Sequence, residues 1–340
     1  MRHARRLLAA IAALAALPAT AQEVTLRMHH FLPAQSTVPA QILDVWADNV
    51  ERDSGGRIEV QRYPAMQLGG TPPELVDQVV DGVADVIWTL PGYTPGRFPR
   101  TEVFELPFLS PDAEATSRAY WQLAEERMMD TDFADFQVLG LWVHGPGVIH
   151  SDRRIVDVAD LRGAQLRAPT RTVTTLLTTL GASAVGMPVP AIPESLSRGV
   201  IDGAVIPWEV TPSLRMSELV DNHTEFPGNA FYTATFLFAM NREVYEGLPD
   251  DLRAVIDANS GLEFSAFAGR TQQAADAAAR RIAVDRGNEI VTLTDDQAAG
   301  WEAASGPSID AWVAEADAAG IDGTGLLAEA RRLIDGAAAQ

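Results

Sequence analysis

Arg167 is the residue of this chain best placed to do chemistry. The segment Gln165-Leu166-Arg167-Ala168-Pro169-Thr170 reads as a short strand carrying an arginine near its end, with a helix to follow. In open α/β sheets, ligands bind beyond the carboxyl ends of strands. A guanidinium there offers a planar, permanently charged fork that matches a carboxylate. An arginine taken alone is more often a surface residue, so its setting has to decide. The other candidates for proton or metal chemistry are His29, His30, His144, His150 and His223. His29 and His30 are neighbours on a strand, so their side chains diverge, and a zinc site would need a third ligand from elsewhere. Catalytic signatures are missing: there is no G-x-S-x-G elbow, H-E-x-x-H helix, Walker loop or G-x-G-x-x-G turn. With no cysteine, thiolate catalysis, thiolate metal sites and disulfides are excluded. No catalytic residue, metal or cofactor is expected.

The first 21 residues read as an export signal. Arg2, Arg5 and Arg6 precede an apolar run of 11 residues, Leu7 to Leu17, and Ala19-Thr20-Ala21 is a small-x-small cleavage site. A run of that length falls short of the ~20 residues that span a bilayer. The mature chain is expected to start near Gln22 and to diffuse freely in an oxidising compartment, with no cysteine for a lipid anchor. A formal net charge of −20, with all 26 basic residues arginine, argues against nucleic acid and anionic membrane surfaces as partners.

The elements that must position Arg167 alternate. Val24–Met28, Arg57–Tyr63, Asp85–Leu90, Val138–Val143, Val148–Ser151, Gln165–Ala168, Ala184–Met187 and Ile201–Ile206 read as strands. Helices of 10–15 residues fall between several of them. Pro39–Arg52 has Ile42, Val45, Trp46 and Val50 on one face, and Thr71-Pro72-Pro73-Glu74 is a capping box. Phe231–Asn241 is a long β-rich run, and the chain from Pro249 onward is Ala-rich and helical. This pattern predicts an α/β protein with open sheets. The length predicts two domains. The runs near 138–151 and 231–241 are long enough to cross between them.

The order of segments resembles the solute-binding proteins of TRAP (tripartite ATP-independent periplasmic) transporters, the DctP-like family. The resemblance rests on Gly56-Arg57-Ile58-Glu59-Val60, Pro64-x-x-Gln67-Leu68-Gly69-Gly70, Gly82-Val83-Ala84-Asp85-Val86, Gly92-Tyr93 and Leu106-Pro107-Phe108-Leu109. It continues through Asp160-Leu161-Arg162-Gly163-Ala164-Gln165-Leu166-Arg167, Leu180-Gly181-Ala182, Met187-Pro188, Gly199-Val200-Ile201-Asp202-Gly203 and Leu248-Pro249. It implies a two-lobed flytrap fold with a ligand cleft between the lobes and a helical C-terminal region. Lobe I would comprise residues 22–146 with about 232–285. Lobe II would comprise 147–231 with about 286–340, the C-terminal helices packing across both. The implied function is capture of a small organic acid by a monomeric periplasmic protein, for delivery to the small and large TRAP membrane subunits. Arg167 falls at the arginine that pairs with the ligand carboxylate. A periplasmic ligand-sensing component is the alternative, and a secreted hydrolase a more distant one.

Two departures from the family pattern point to the ligand. The stretch His144-Gly145-Pro146-Gly147-Val148-Ile149-His150 lacks the second arginine of many members, and Ile206 replaces an asparagine after the Asp-Gly turn. An isoleucine leaves a ligand hydroxyl or second carboxylate unsatisfied, at a cost of roughly 1–3 kcal/mol. One carboxylate on Arg167 and an aromatic or apolar body are therefore expected. Trp88, Tyr93, Trp208, Phe231 and Tyr232 are the expected aromatic contacts, with Ile206 on the wall and His30, His144 and His150 near the cleft. His144 and His150 are expected as hydrogen-bond donors. In some relatives a cation bridges the bound carboxylate, and Glu209 is the candidate for that role here.

Overall fold

The computed structural model describes residues 22–339; the predicted export signal, residues 1–21, lies outside the described residues. Among the described residues, eleven strands form two sheets. The first contains β1 (Val24–His30), β2 (Ile58–Tyr63), β3 (Val86–Thr89), β4 (Phe136–Val143) and β10 (Thr235–Asn241), in the order β2-β1-β3-β10-β4. The second contains β5 (Gly147–Ser151), β6 (Gln165–Ala168), β7 (Ser183–Gly186), β8 (Gly203–Pro207), β9 (Asn222–Glu225) and β11 (Glu289–Thr292), in the order β11-β9-β5-β8-β6-β7. The sequence alternation is thus realised as two α/β layers, the two-lobed architecture.

Each sheet carries one strand against the common direction. β10 runs antiparallel to β3 and β4, while β1 is parallel to β2 and β3. β5 runs antiparallel to β8 and β9, while β6 is parallel to β7 and β8. These two reversed strands are the ones entered from the other sheet: β4 passes through Gly145-Pro146 into β5, and the segment after β9 returns into β10. A chain leaving one sheet at the carboxyl ends of its parallel strands enters the other at the matching edge. Both crossings therefore run along the gap between those edges.

The crossings are stitched together. The Gly147 N–H donates to the Tyr232 carbonyl at 3.1 Å. The Ala234 N–H donates to His144 Nε2 at 2.9 Å. The fit leaves no room for a side chain at Gly147, where an added Cβ would stand 2.1 Å from Tyr232 Cε1. Gly147→Ala should therefore push the Tyr232 ring or the crossing aside, costing about 1–3 kcal/mol as other overpacking changes do. Urea denaturation reads this, and an unchanged midpoint would refute it.

Helices cover the sheets and clasp them. The helix Ala113–Arg127 packs on β4, and the C-terminal helix Gly323–Ala338 packs on it in turn. The 24-residue helix Asp295–Ala318 lies against the helix Arg171–Thr179 of the second layer. The two last helices thus pack on helices of different layers. The helix Asp276–Arg286, expected with the first lobe, leans instead on the turn Trp208–Val210 after β8. Arg171 reaches across to Glu102, on the turn Thr101–Glu105, and Trp312 Nε1 donates to Glu102 at 3.3 Å. Among the described residues no helix is long and apolar enough to cross a membrane.

Candidate functional site

Between the facing carboxyl edges lies a small cavity lined by both layers. The first layer supplies Phe31 and Leu32 after β1, Trp88 and Leu90 around the end of β3, His144 after β4, and Tyr232, Ala234 and Phe236 around the start of β10. The second layer supplies Arg167 and Pro169 at the end of β6, Val189 after β7, and Ile206, Pro207, Glu209 and Val210 at the end of β8. Gln272 reaches in from the helix Leu262–Ala274.

Arg167 is buried, at 1% exposure. Its Nε donates to the Met187 carbonyl at 2.9 Å and its Nη1 to the Val205 carbonyl at 3.2 Å, while Nη2 has no protein partner. The Tyr93 hydroxyl sits beside the guanidinium and accepts the Val189 N–H at 3.0 Å. Burial pulls the guanidinium below its usual pKa, the sign of a cation that has lost water without gaining a counter-ion. The two carbonyl bonds fix the direction of the fork and leave one face for an anion.

The opposite character comes from rings. Trp88 stacks on Phe31 with centroids 4.6 Å apart and on Phe236 at 5.2 Å. Behind it lies Trp142, nearly parallel at 6.3 Å. Offset stacking of this kind gives a rigid flat wall.

The sequence-predicted residues divide on this geometry. Arg167, Trp88, Tyr232, His144 and Ile206 line the cavity. Tyr93 stands just behind Arg167. Four expected positions are corrected. Pro207 ends β8, and the turn that follows carries Trp208 to the far side, where it packs on His150 and His223 and donates to Glu225 at 2.8 Å. Phe231 is a core ring, stacked on Phe226 at 4.4 Å and edge-on to Trp301. His150 lies beneath β8, its Nε2 donating to the Ile206 carbonyl at 3.1 Å and its Nδ1 accepting from His223 Nδ1 at 2.7 Å. His30 is buried against the edge of Trp88, 6.4 Å between centroids, and burial lowers its pKa to about 4.

The donor role expected for His144 is also corrected. Its Nδ1 faces the Gly145 carbonyl and so carries the proton, and Nε2 accepts from Ala234. Burial lowers its pKa to about 4, so both nitrogens are spent on the neutral ring.

The sequence reading passed over Phe31, Phe236 and Gln272. Gln272 accepts from Trp142 Nε1 at 2.8 Å and donates to Glu209 Oε1 at 2.7 Å. Glu209 is buried, and its Oε2 is unpartnered. Burial raises its carboxyl to about 8. Among the described residues no group of three or more His, Cys, Asp or Glu side chains is arranged to hold a metal ion.

Residues 28–316 match the family described as bacterial extracellular solute-binding protein, family 7 (DctP). The chain belongs to this family. Solved TRAP solute-binding proteins share its fold. A TRAP solute-binding protein from Rhodoferax ferrireducens T118, in complex with copurified benzoate, is 51% identical with a TM-score of 0.91, over 92% of this chain and 98% of that one. One from a marine metagenome, specific for aromatic acid ligands and holding 3-hydroxybenzoate, is 44% identical with a TM-score of 0.90, over 92% and 98%. One from Bordetella bronchiseptica, with bound (R)- and (S)-mandelate, is 29% identical with a TM-score of 0.84, over 92% and 98%. Family 7 proteins are described as bacterial extracellular solute-binding proteins.

Proposed function

We propose that this family 7 protein captures an aromatic monocarboxylate in the periplasm and delivers it to TRAP membrane subunits for ion-coupled uptake. The observation that carries this reading is the free Nη2 of buried Arg167, which opens into a cavity walled by Phe31, Trp88, Tyr232 and Phe236. The ligand carboxylate completes the arginine's hydrogen bonds, and its ring lies along the Trp88 stack. The solved relatives that hold benzoate, 3-hydroxybenzoate and mandelate support the same ligand class.

The lobes are residues on either side of the two crossings, and closure brings the carboxyl edges together over the ligand. The Arg171–Glu102 pair spans the closed form. A ligand favours closure only through its greater affinity for that form. In the closed cavity, the attraction between guanidinium and carboxylate is less screened than in water.

The test is a thermal-shift screen of refolded, ligand-stripped protein against aromatic monocarboxylates, aliphatic 2-oxo and 2-hydroxy acids, C4-dicarboxylates, sugar acids and amino acids. A ligand at 100 times its dissociation constant stabilises by about 2.7 kcal/mol. Aromatic monocarboxylates are expected to give the shifts. Shifts confined to dicarboxylates or sugar acids would overturn the assignment.

A further inference from the structure

Glu209 lines the cavity and is held in place there. Gln272 holds one end of its carboxyl, and the Thr37 hydroxyl lies beside it, donating to the Glu209 carbonyl at 3.5 Å. Trp142 Nε1 holds Gln272 Oε1, and Gln272 Nε2 holds Glu209 Oε1, so the relay ends on one carboxyl oxygen and leaves Oε2 free. The backbone is fixed as well: the Glu209 N–H donates to Asp276 Oδ1 at 2.8 Å. No arginine pairs with Glu209, and the bonds of Arg167 go to backbone carbonyls. On the cavity wall, the unpartnered buried polar atoms are Arg167 Nη2, Trp88 Nε1 and Glu209 Oε2. A second ligand carboxylate would find no second cation among them. A neutral hydroxyl would find a partner in Glu209.

We propose that Glu209 is a second polar anchor of the cavity, its free Oε2 hydrogen-bonding a hydroxyl on an aromatic monocarboxylate, so that the protein selects hydroxylated aromatic acids over unsubstituted ones. This rests on the carboxylate-to-Arg167 reading above. The protonation state agrees with it. Burial raises Glu209 to about 8, so at pH 7 it is neutral and does not repel an anionic ligand. The titratable groups around it are Asp276, raised by burial to about 7, neutral His144, Tyr232, and the Arg167 cation on the cavity wall. Charge on Asp276 raises Glu209 further, so its ionisation keeps Glu209 protonated. As pH rises through about 8, Glu209 ionises and the binding-competent fraction falls, by roughly tenfold near pH 9.

The experiment is isothermal titration calorimetry of the intact mature protein with benzoate and with 2-, 3- and 4-hydroxybenzoate, at pH 7 and pH 9. Wild type is expected to bind at least one hydroxylated isomer about tenfold more tightly than benzoate, the worth of one buried hydrogen bond. Glu209→Leu should erase that preference, weakening the hydroxylated isomer by about tenfold more than benzoate. Glu209→Gln, which keeps a donor and an acceptor, should retain the preference and remove the fall at pH 9. The inference is overturned if no isomer outbinds benzoate, or if Glu209→Leu weakens all probes equally. It is equally overturned if the pH effect survives in Glu209→Gln, which would assign it to Asp276, or if the preference requires added sodium or calcium, which would mark the ionised carboxylate as a cation ligand. Failure of benzoate itself to bind would overturn the underlying function instead.

Discussion

Arg167→Met is expected to weaken ligand binding by roughly thirtyfold or more, while leaving the ligand-free protein close to its original stability. The two effects separate because the arginine works against the fold when the cavity holds no anion. Its guanidinium is buried with two carbonyl bonds, no carboxylate partner and a depressed pKa. Replacing a buried, uncompensated charge with an apolar chain of similar length removes that desolvation cost. The Met187 and Val205 carbonyls lose their donor, at about 1 kcal/mol each, which offsets the gain. Binding has no such compensation. Truncating one partner of a buried, hydrogen-bonded charge pair costs about 2–5 kcal/mol, from roughly thirtyfold to several thousandfold in affinity. Calorimetry with benzoate reads the loss, and a melting curve without ligand reads the stability. Affinity within tenfold of wild type would remove Arg167 from the site.

Arg167 was legible in the sequence because its position follows from local rules: a strand, a Pro-marked turn, a helix. The family resemblance, not strand alternation, placed Ile206 on the wall, since every residue of β8 is buried and the local rules give no cavity side there. They failed one residue beyond the strand. Pro207 begins a tight turn, and the direction of a turn decides whether Trp208 or Glu209 faces the cavity, which residue type alone does not reveal. Phe31 sits in a post-strand segment with no periodicity to orient it. Phe236 lies in β10, whose residues are buried on both faces, so no alternation marks the cavity side. Gln272 did leave a signal. It is a buried polar residue on a helix face that also buries Phe264, Ser265, Ala268 and Gly269, and buried polar groups are normally paired. Its partners, Trp142 and Glu209, lie far away in sequence, so the relay is visible only in three dimensions. The two sheets were legible for a related reason: alternating strands and helices specify the α/β class. Which strand is reversed depends on where the chain crosses, and the crossing at Gly145-Pro146 spans too few residues to carry its own pattern.

Trp88→Ala is expected to have the largest effect on stability, about 3–5 kcal/mol, as for other large aromatic truncations in cores. The residue sits at the centre of the first layer. It pairs across both neighbours, with His30 on β1 and Phe238 on β10. Its ring is 1% exposed and touches Phe31, Trp142 and Phe236 in a run of stacked faces, with His30 on its edge. Each such aromatic pair contributes roughly 0.5–1.5 kcal/mol beyond its buried area. Removal therefore unsupports Phe31 and Phe236, the two rings that continue the wall, as well as opening space. A purely structural loss and a loss of ligand contact are separable by ligand size. If the ring forms the wall against which a bound acid lies, benzoate should weaken in Trp88→Ala, and a bicyclic acid such as 2-naphthoate should gain relative to it by filling the opened volume. Trp88→Phe should fall between wild type and alanine in both stability and benzoate affinity. Urea midpoints and calorimetry with the two acids provide the comparison. Equal weakening of both acids would assign Trp88 to the core alone and leave Phe31 and Phe236 as the rings that meet the ligand.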